Sequence, residues 1–240
     1  MNKPINDSIR IHDLIAAAKQ IRRQRNGPKK PAKAQLDVTE YLEPPELLSF
    51  IRFMRRQSSK RKSRAAIQNC TMAEILALAG LRASELCHLT LADVPPLRGD
   101  GTLRVVNGKG GKTRLVNIPP DLTTTIDHWV RVYRKQIMPT HYLFVTRNNK
   151  PYSHVDIWKR SQVWFREWRE SGTAPDREMH LSPHSLRHSY ASRYLHINGS
   201  DALAHLQMQL GHSDIKTTMI YARTTSVDNQ RFAANLTIGD

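Results

Sequence analysis

His184-Ser-Leu-Arg187, followed by Leu210-Gly211-His212-Ser-Asp-Ile-Lys-Thr-Thr-Met-Ile-Tyr221, sets two histidines, an arginine and a tyrosine within one short stretch of chain. A tyrosine hydroxyl is a poor nucleophile at neutral pH. It attacks phosphorus only where guanidinium and imidazole groups absorb the charge that develops in the transition state. Arg187 lies three residues after His184, and on a helix that spacing brings two side chains to one face. The planar arginine fork can give a phosphate two parallel hydrogen bonds. Taken singly, each residue also fits a plainer reading: a surface arginine beside a satisfied histidine, and a core tyrosine with its hydroxyl at the surface. His188, four residues after His184, offers a metal-binding pair instead, but no glutamate or third ligand stands where a zinc helix would place one.

Charge points the same way. The chain of 240 residues holds 37 Lys and Arg against 21 Asp and Glu, a formal net charge of +16. Such an excess fits a polyanionic partner that gains affinity through counterion release, with nucleic acid ahead of an anionic membrane surface. No apolar run approaches the roughly 18 to 20 residues of a spanning helix. Ile11, Leu14, Ile15 and Ile21 are interleaved with charge, unlike the apolar region of a signal peptide, so a cytoplasmic protein is expected, at the nucleoid when bound to DNA. Cys70 and Cys87 lie in apolar, helical-looking segments without a CxxC or Cys/His partner and read as buried reduced thiols.

Residues 1–35 are expected to form a basic arm. Ile11, Leu14, Ile15, Ala18 and Ile21 recur at helical spacing among basic residues, and a linker rich in proline and lysine follows at 26–34. From Leu36 onward the pattern is mostly helical. Pro44 and Pro45 open one helix, Ala65 to Ala79 forms a largely buried second that Gly80 ends, and a short third spans Ser84 to Leu89. Two β-branched runs, 102–107 and 112–118, joined by Gly108-Lys109-Gly110-Gly111, predict a hairpin. Helical periodicity returns at 121–137, 153–170, 183–197, 201–210 and 214–221. The fold class is therefore mainly α with a small antiparallel β-sheet.

Four segments together carry a resemblance. Ala79-Gly80-Leu81-Arg82-Ala83-Ser84-Glu85-Leu86, Asn107-Gly108-Lys109-Gly110-Gly111-Lys112, Pro183-His184-Ser185-Leu186-Arg187-His188, and Leu210-Gly211-His212 through Tyr221 resemble, in order and spacing, the boxes of the tyrosine recombinase (phage integrase) family over about residues 36–225. The resemblance implies that Arg82 and Arg187 clamp the scissile phosphate and that His212 donates a further hydrogen bond. It implies Tyr221 as the nucleophile, forming a 3′-phosphotyrosyl intermediate and releasing a 5′-hydroxyl. Lys109 would protonate the leaving oxygen, with Lys112 as the rival acid, and His184 would assist proton transfer at the nucleophile. Glu85, one turn after Arg82, is expected to orient its helix.

Neither a metal nor another cofactor is implied, because guanidinium groups supply the positive charge and the phosphotyrosine conserves the bond energy. The implied partners are double-stranded DNA recombination sites, three further copies of the chain in a homo-tetramer on DNA, and accessory DNA-bending proteins. Larger family members carry a helical domain before the catalytic one, so the chain resembles small single-domain recombinases in which the basic arm takes part of that role. By the same analogy, residues 226–240 form a tail exchanged between protomers. Two other activities remain open on the sequence: a type IB-like topoisomerase using the same chemistry, and a DNA-binding accessory factor that has kept the fold without the reaction.

Overall fold

In a computed structural model the chain is described at residues 40–95, 99–106, 113–134, 141–211 and 218–219. The expected N-terminal arm, the hairpin turn, the helix at 214–221 apart from Thr218 and Met219, and the C-terminal tail lie outside the described residues.

Helix α1 (Pro44–Arg61) starts on the two prolines, whose fixed φ suits a first helical turn and whose missing N–H groups leave no donor stranded. Glu46 accepts from the backbone N–H of Glu43 at 2.8 Å and closes that end. Lys62 turns the chain at φ 45°, and Ser63 then caps α2 (Arg64–Ala79) by accepting from the Ala66 N–H at 3.2 Å. Leu47, Phe50, Ile51, Phe53 and Met54 bury one face of α1, whereas α2 is buried on nearly every side. A helix apolar all round belongs at the centre of a domain. Gly80 ends α2 in the left-handed region, φ 64°, as its place after the apolar run predicts.

The main core gathers around α2. Phe50 packs on Phe165 and on Trp168 of α5 (His154–Glu170), with ring centroids 5.2 and 5.4 Å apart. A smaller cluster of Tyr41, Tyr190, Ala191, Leu195, Leu206 and Leu210 joins α6 (Pro183–Asn198) to α7 (Leu203–Leu210). Strands β1 (Thr102–Val105) and β2 (Arg114–Asn117) pair antiparallel, with Thr102 opposite Asn117 and Val105 opposite Arg114. Leu103, Val105 and Val116 face inward while Leu115 is exposed, the alternation of a half-buried sheet. The strands are shorter than the predicted 102–107 and 112–118, and residues 107–112 lie outside the described residues. Both cysteines are buried, and neither is in a disulfide.

One predicted helix changes character. The segment expected to be helical over 121–137 is α-helical as α4 (Pro120–His128) and then takes π-helical turns from Trp129 to Arg134. Trp129 Nε1 donates to the Leu143 carbonyl at 3.1 Å, and Arg134 Nε to the adjacent Tyr142 carbonyl at 2.8 Å. Five residues are about 140° apart around an α-helix but close to one full turn of a π-helix. The wider turn lets both side chains reach the same neighbouring segment. Among the described residues, no helix is long and apolar enough to cross a membrane.

Candidate active site

The connection from α2 to α3 (Ala83–His88) is only Gly80, Leu81 and Arg82. Arg82 sits at the start of α3, where its N–H donates to Glu85 Oε2 at 2.9 Å and its own Nη1 donates to Oε1 at 2.8 Å. Arg114 on β2 reaches the same carboxylate with both arms, Nη1 to Oε1 and Nη2 to Oε2, each at 2.9 Å. Arg187 Nη1 stands 3.8 Å from Oε2. Three guanidiniums thus surround one carboxylate whose side chain is 5% exposed. Burial by itself would raise the pKa of Glu85. The hydrogen bonds and charge of Arg114, the Arg82 N–H and the Arg187 charge reverse that and bring it to about 2. The carboxylate is therefore ionised, and three cations against one anion leave a surplus of positive charge suited to a phosphate.

Arg187 reaches the cluster from the second turn of α6. Its Nη1 donates to the Gly80 carbonyl and its Nη2 to the Leu210 carbonyl, both at 2.6 Å, and the side chain is 1% exposed. Those carbonyls close α2 and α7, where unpaired acceptors and the negative end of the helix dipole favour a cation. His184, one turn earlier, is solvent-exposed, with its ring edge-on to His188 at 4.5 Å between centroids. Partial desolvation of the ring, followed by the Arg187 and Arg82 charges, holds its pKa below the usual 6.5. The imidazole is thus kept neutral near pH 7, as a proton acceptor must be.

The fold brings Arg82, Arg187 and His184 into one electrostatic neighbourhood. Lys109, its rival Lys112, His212 and Tyr221 lie outside the described residues. Glu85 does orient its helix by accepting from the Arg82 N–H, but it also joins three arginines. Arg114 escaped the sequence reading. Its signal is an arginine two residues from the buried Val116, on the inward face of a half-buried strand, where a charge requires a buried partner. Gln209 escaped too: its carbonyl accepts from Arg114 Nε at 2.8 Å and its side chain accepts from the Asn117 N–H at 3.1 Å. A groove of about 750 Å³ opens beside Arg82, lined also by Ser84, His88, Arg104 and His141. Among the described residues, no group of three or more His, Cys, Asp or Glu is placed to hold a metal ion.

Residues 40–227 match the phage integrase family. The chain belongs to that family. Among phage integrase relatives, it is 36% identical over 158 residues to the tyrosine recombinase XerD of Staphylococcus aureus, a match covering 65% of this chain and 50% of the relative. The corresponding XerD of Staphylococcus saprophyticus is 34% identical over the same length. The chain thus spans about half the length of the curated relatives it matches. In fold it is similar to XerA recombinase, with a TM-score of 0.65 and 20% identity over 89% of this chain and 68% of that one. It is similar as well to the Tn1549 transposon integrase in complex with circular intermediate DNA, with a TM-score of 0.65 and 22% identity over 94% of this chain and 77% of that one. XerH bound to its difH substrate before cleavage gives a TM-score of 0.65 at 20% identity, over 95% of this chain and 64% of that one.

Proposed function

We propose that the chain is the catalytic part of a site-specific DNA recombinase that cuts and rejoins duplex DNA through a tyrosine–phosphate bond. The observation that carries this reading is the cluster of Arg82, Arg114 and Arg187 around buried Glu85, a cationic site built from three distant parts of a family member's chain.

In this mechanism Arg82 and Arg187 meet the nonbridging oxygens of the scissile phosphate, and His212 adds a further hydrogen bond. Charge spreads over those oxygens as phosphorus becomes five-coordinate, and fixed guanidiniums stabilise it without reorganising. The Tyr221 oxygen attacks phosphorus and gives up its proton with the help of His184. The bond from phosphorus to the 5′-oxygen breaks, and Lys109 protonates that oxygen to leave a 5′-hydroxyl. Strand transfer is the same sequence in reverse, with a 5′-hydroxyl from a second site attacking the phosphotyrosine. The groove beside Arg82 supports the reading as a place for the flanking strand, since Arg104 and the two histidines line it.

Four copies acting on two duplex sites, with accessory DNA-bending proteins, would exchange strands pairwise. Residues 1–35 serve in this scheme as a basic arm and 226–240 as a tail packed on a neighbour. Deleting 226–240 is expected to weaken synapsis in a gel-shift assay, and unchanged synapsis would remove the tail from the scheme. The central test is a nicked duplex that traps the covalent intermediate. An adduct from the native chain and none from Tyr221→Phe is expected; an adduct that persists in Tyr221→Phe assigns the nucleophile elsewhere.

A further inference from the structure

Arg114 is turned wholly inward. Nη1 and Nη2 lie on the two oxygens of Glu85, Nε lies on the Gln209 carbonyl, and the side chain is 13% exposed. Arg82 shares the same carboxylate differently: it uses one arm, Nη1, and remains 23% exposed at the mouth of the groove. A carboxylate can accept a whole arginine fork. Here Arg114 occupies both oxygens and supplies a full neutralising charge, so Arg82 is held by the edge only.

We infer that Arg114 is a positioning residue for the phosphate clamp: it balances the charge of Glu85, so that Arg82 stays directed toward DNA instead of closing on that carboxylate. The inference rests on the reading of Arg82 as a phosphate ligand. Without Arg114, a buried carboxylate would keep Arg82 and Arg187 as its guanidinium partners, and an incoming phosphate would compete with it for both. Arg114 also ties β2 to the end of α7, through its own Nε bond and beside the bond between the Asn117 N–H and the Gln209 side chain. Gly211 follows at φ 65°, and a Cβ there would stand 3.0 Å from Arg114 Cδ. Gly211, at the end of α7, is therefore laid directly against the Arg114 side chain.

The test is single-turnover cleavage of the nicked duplex at saturating protein, with a normal phosphate or a methylphosphonate at the scissile position. Arg114→Gln is expected to cleave the normal duplex about 100-fold more slowly than the native chain, the scale of a misplaced reacting group, at an unchanged half-saturating DNA concentration. On the methylphosphonate, which lacks the charge that Arg82 meets, most of that deficit should vanish. Arg114→Gln combined with Glu85→Gln removes both members of the buried pair and should recover part of the rate on normal DNA, beyond any gain in folded fraction read by denaturant unfolding of the same variants. A native rate in Arg114→Gln would overturn the inference. So would an equal deficit on both substrates, with no recovery in the double variant. If the native chain itself forms no adduct on either duplex, the reading of the clamp falls, and the role of Arg114 with it.

Discussion

The α-carbon of Gly80 lies against the ring of Tyr190, so close that a methyl group built there would overlap the ring edge. The same glycine holds φ 64°, and its carbonyl accepts from Arg187. Gly80→Ala therefore combines backbone strain with overpacking and should destabilise the fold by about 2 to 5 kcal/mol. Denaturant unfolding reads this directly. Cleavage should fall further than the unfolded fraction explains, because the Arg187 acceptor moves with the backbone.

Acid should loosen the arginine cluster. Glu85 has a pKa of about 2 in the fold against an ordinary 4.5, so its contribution is fully present above pH 4.5 and is lost as pH falls toward 2. The difference corresponds to roughly 3 kcal/mol. Unfolding free energy measured from pH 6 to pH 2 should drop steeply in the native chain. Glu85→Gln should remove that part of the slope while lowering stability at neutral pH, and an unchanged slope would contradict the assignment.

His184 should titrate below 6.5, since partial desolvation of its ring and the Arg187 and Arg82 charges disfavour the imidazolium. Its contribution to stability is complete above pH 6.5 and declines below that, where the unfolded chain takes up the proton more readily. Proton–nitrogen NMR of the ring gives the midpoint. Arg82→Ala should move it upward, and a native midpoint at or above 6.5 would be contrary to the geometry.

Two buried tryptophans should respond differently to the same change. Trp129 Nε1 donates to the Leu143 carbonyl, whereas Trp168 Nε1 is buried with no hydrogen-bond partner among the described residues. Both substitutions to phenylalanine lose packing volume. Trp129→Phe also strands a buried carbonyl, while Trp168→Phe removes an unsatisfied donor, so the first should cost about 1 to 2 kcal/mol more than the second in chemical unfolding.

Helices were legible wherever local chemistry marks them. Pro44 and Pro45 fix a start, and Gly80 an end. The π-helical turns at Trp129 were not legible, because they answer to Leu143 and Tyr142, acceptors on a segment the helical pattern does not contain. The site divides along the same line. His184 and Arg187 stand three residues apart, a spacing that pointed to them directly, and Arg82 stands in a segment whose resemblance to the tyrosine recombinase family pointed to it. The alternation of β2 marks Arg114 as inward-facing, but its partner Glu85, 2.9 Å away in the fold, is 29 residues earlier in the chain, and pairing across such a distance leaves no local trace.

Arg187 is seated by two carbonyls that exist as helix ends only after α2 and α7 have both formed and docked. A chain still emerging during synthesis, or partly unfolded by heat, carries the arginine but has nowhere to hold it. On the proposed function, a clamp that includes Arg187 is assembled only by completed folding, and a copy in which either helix lets go loses the seat of that arginine.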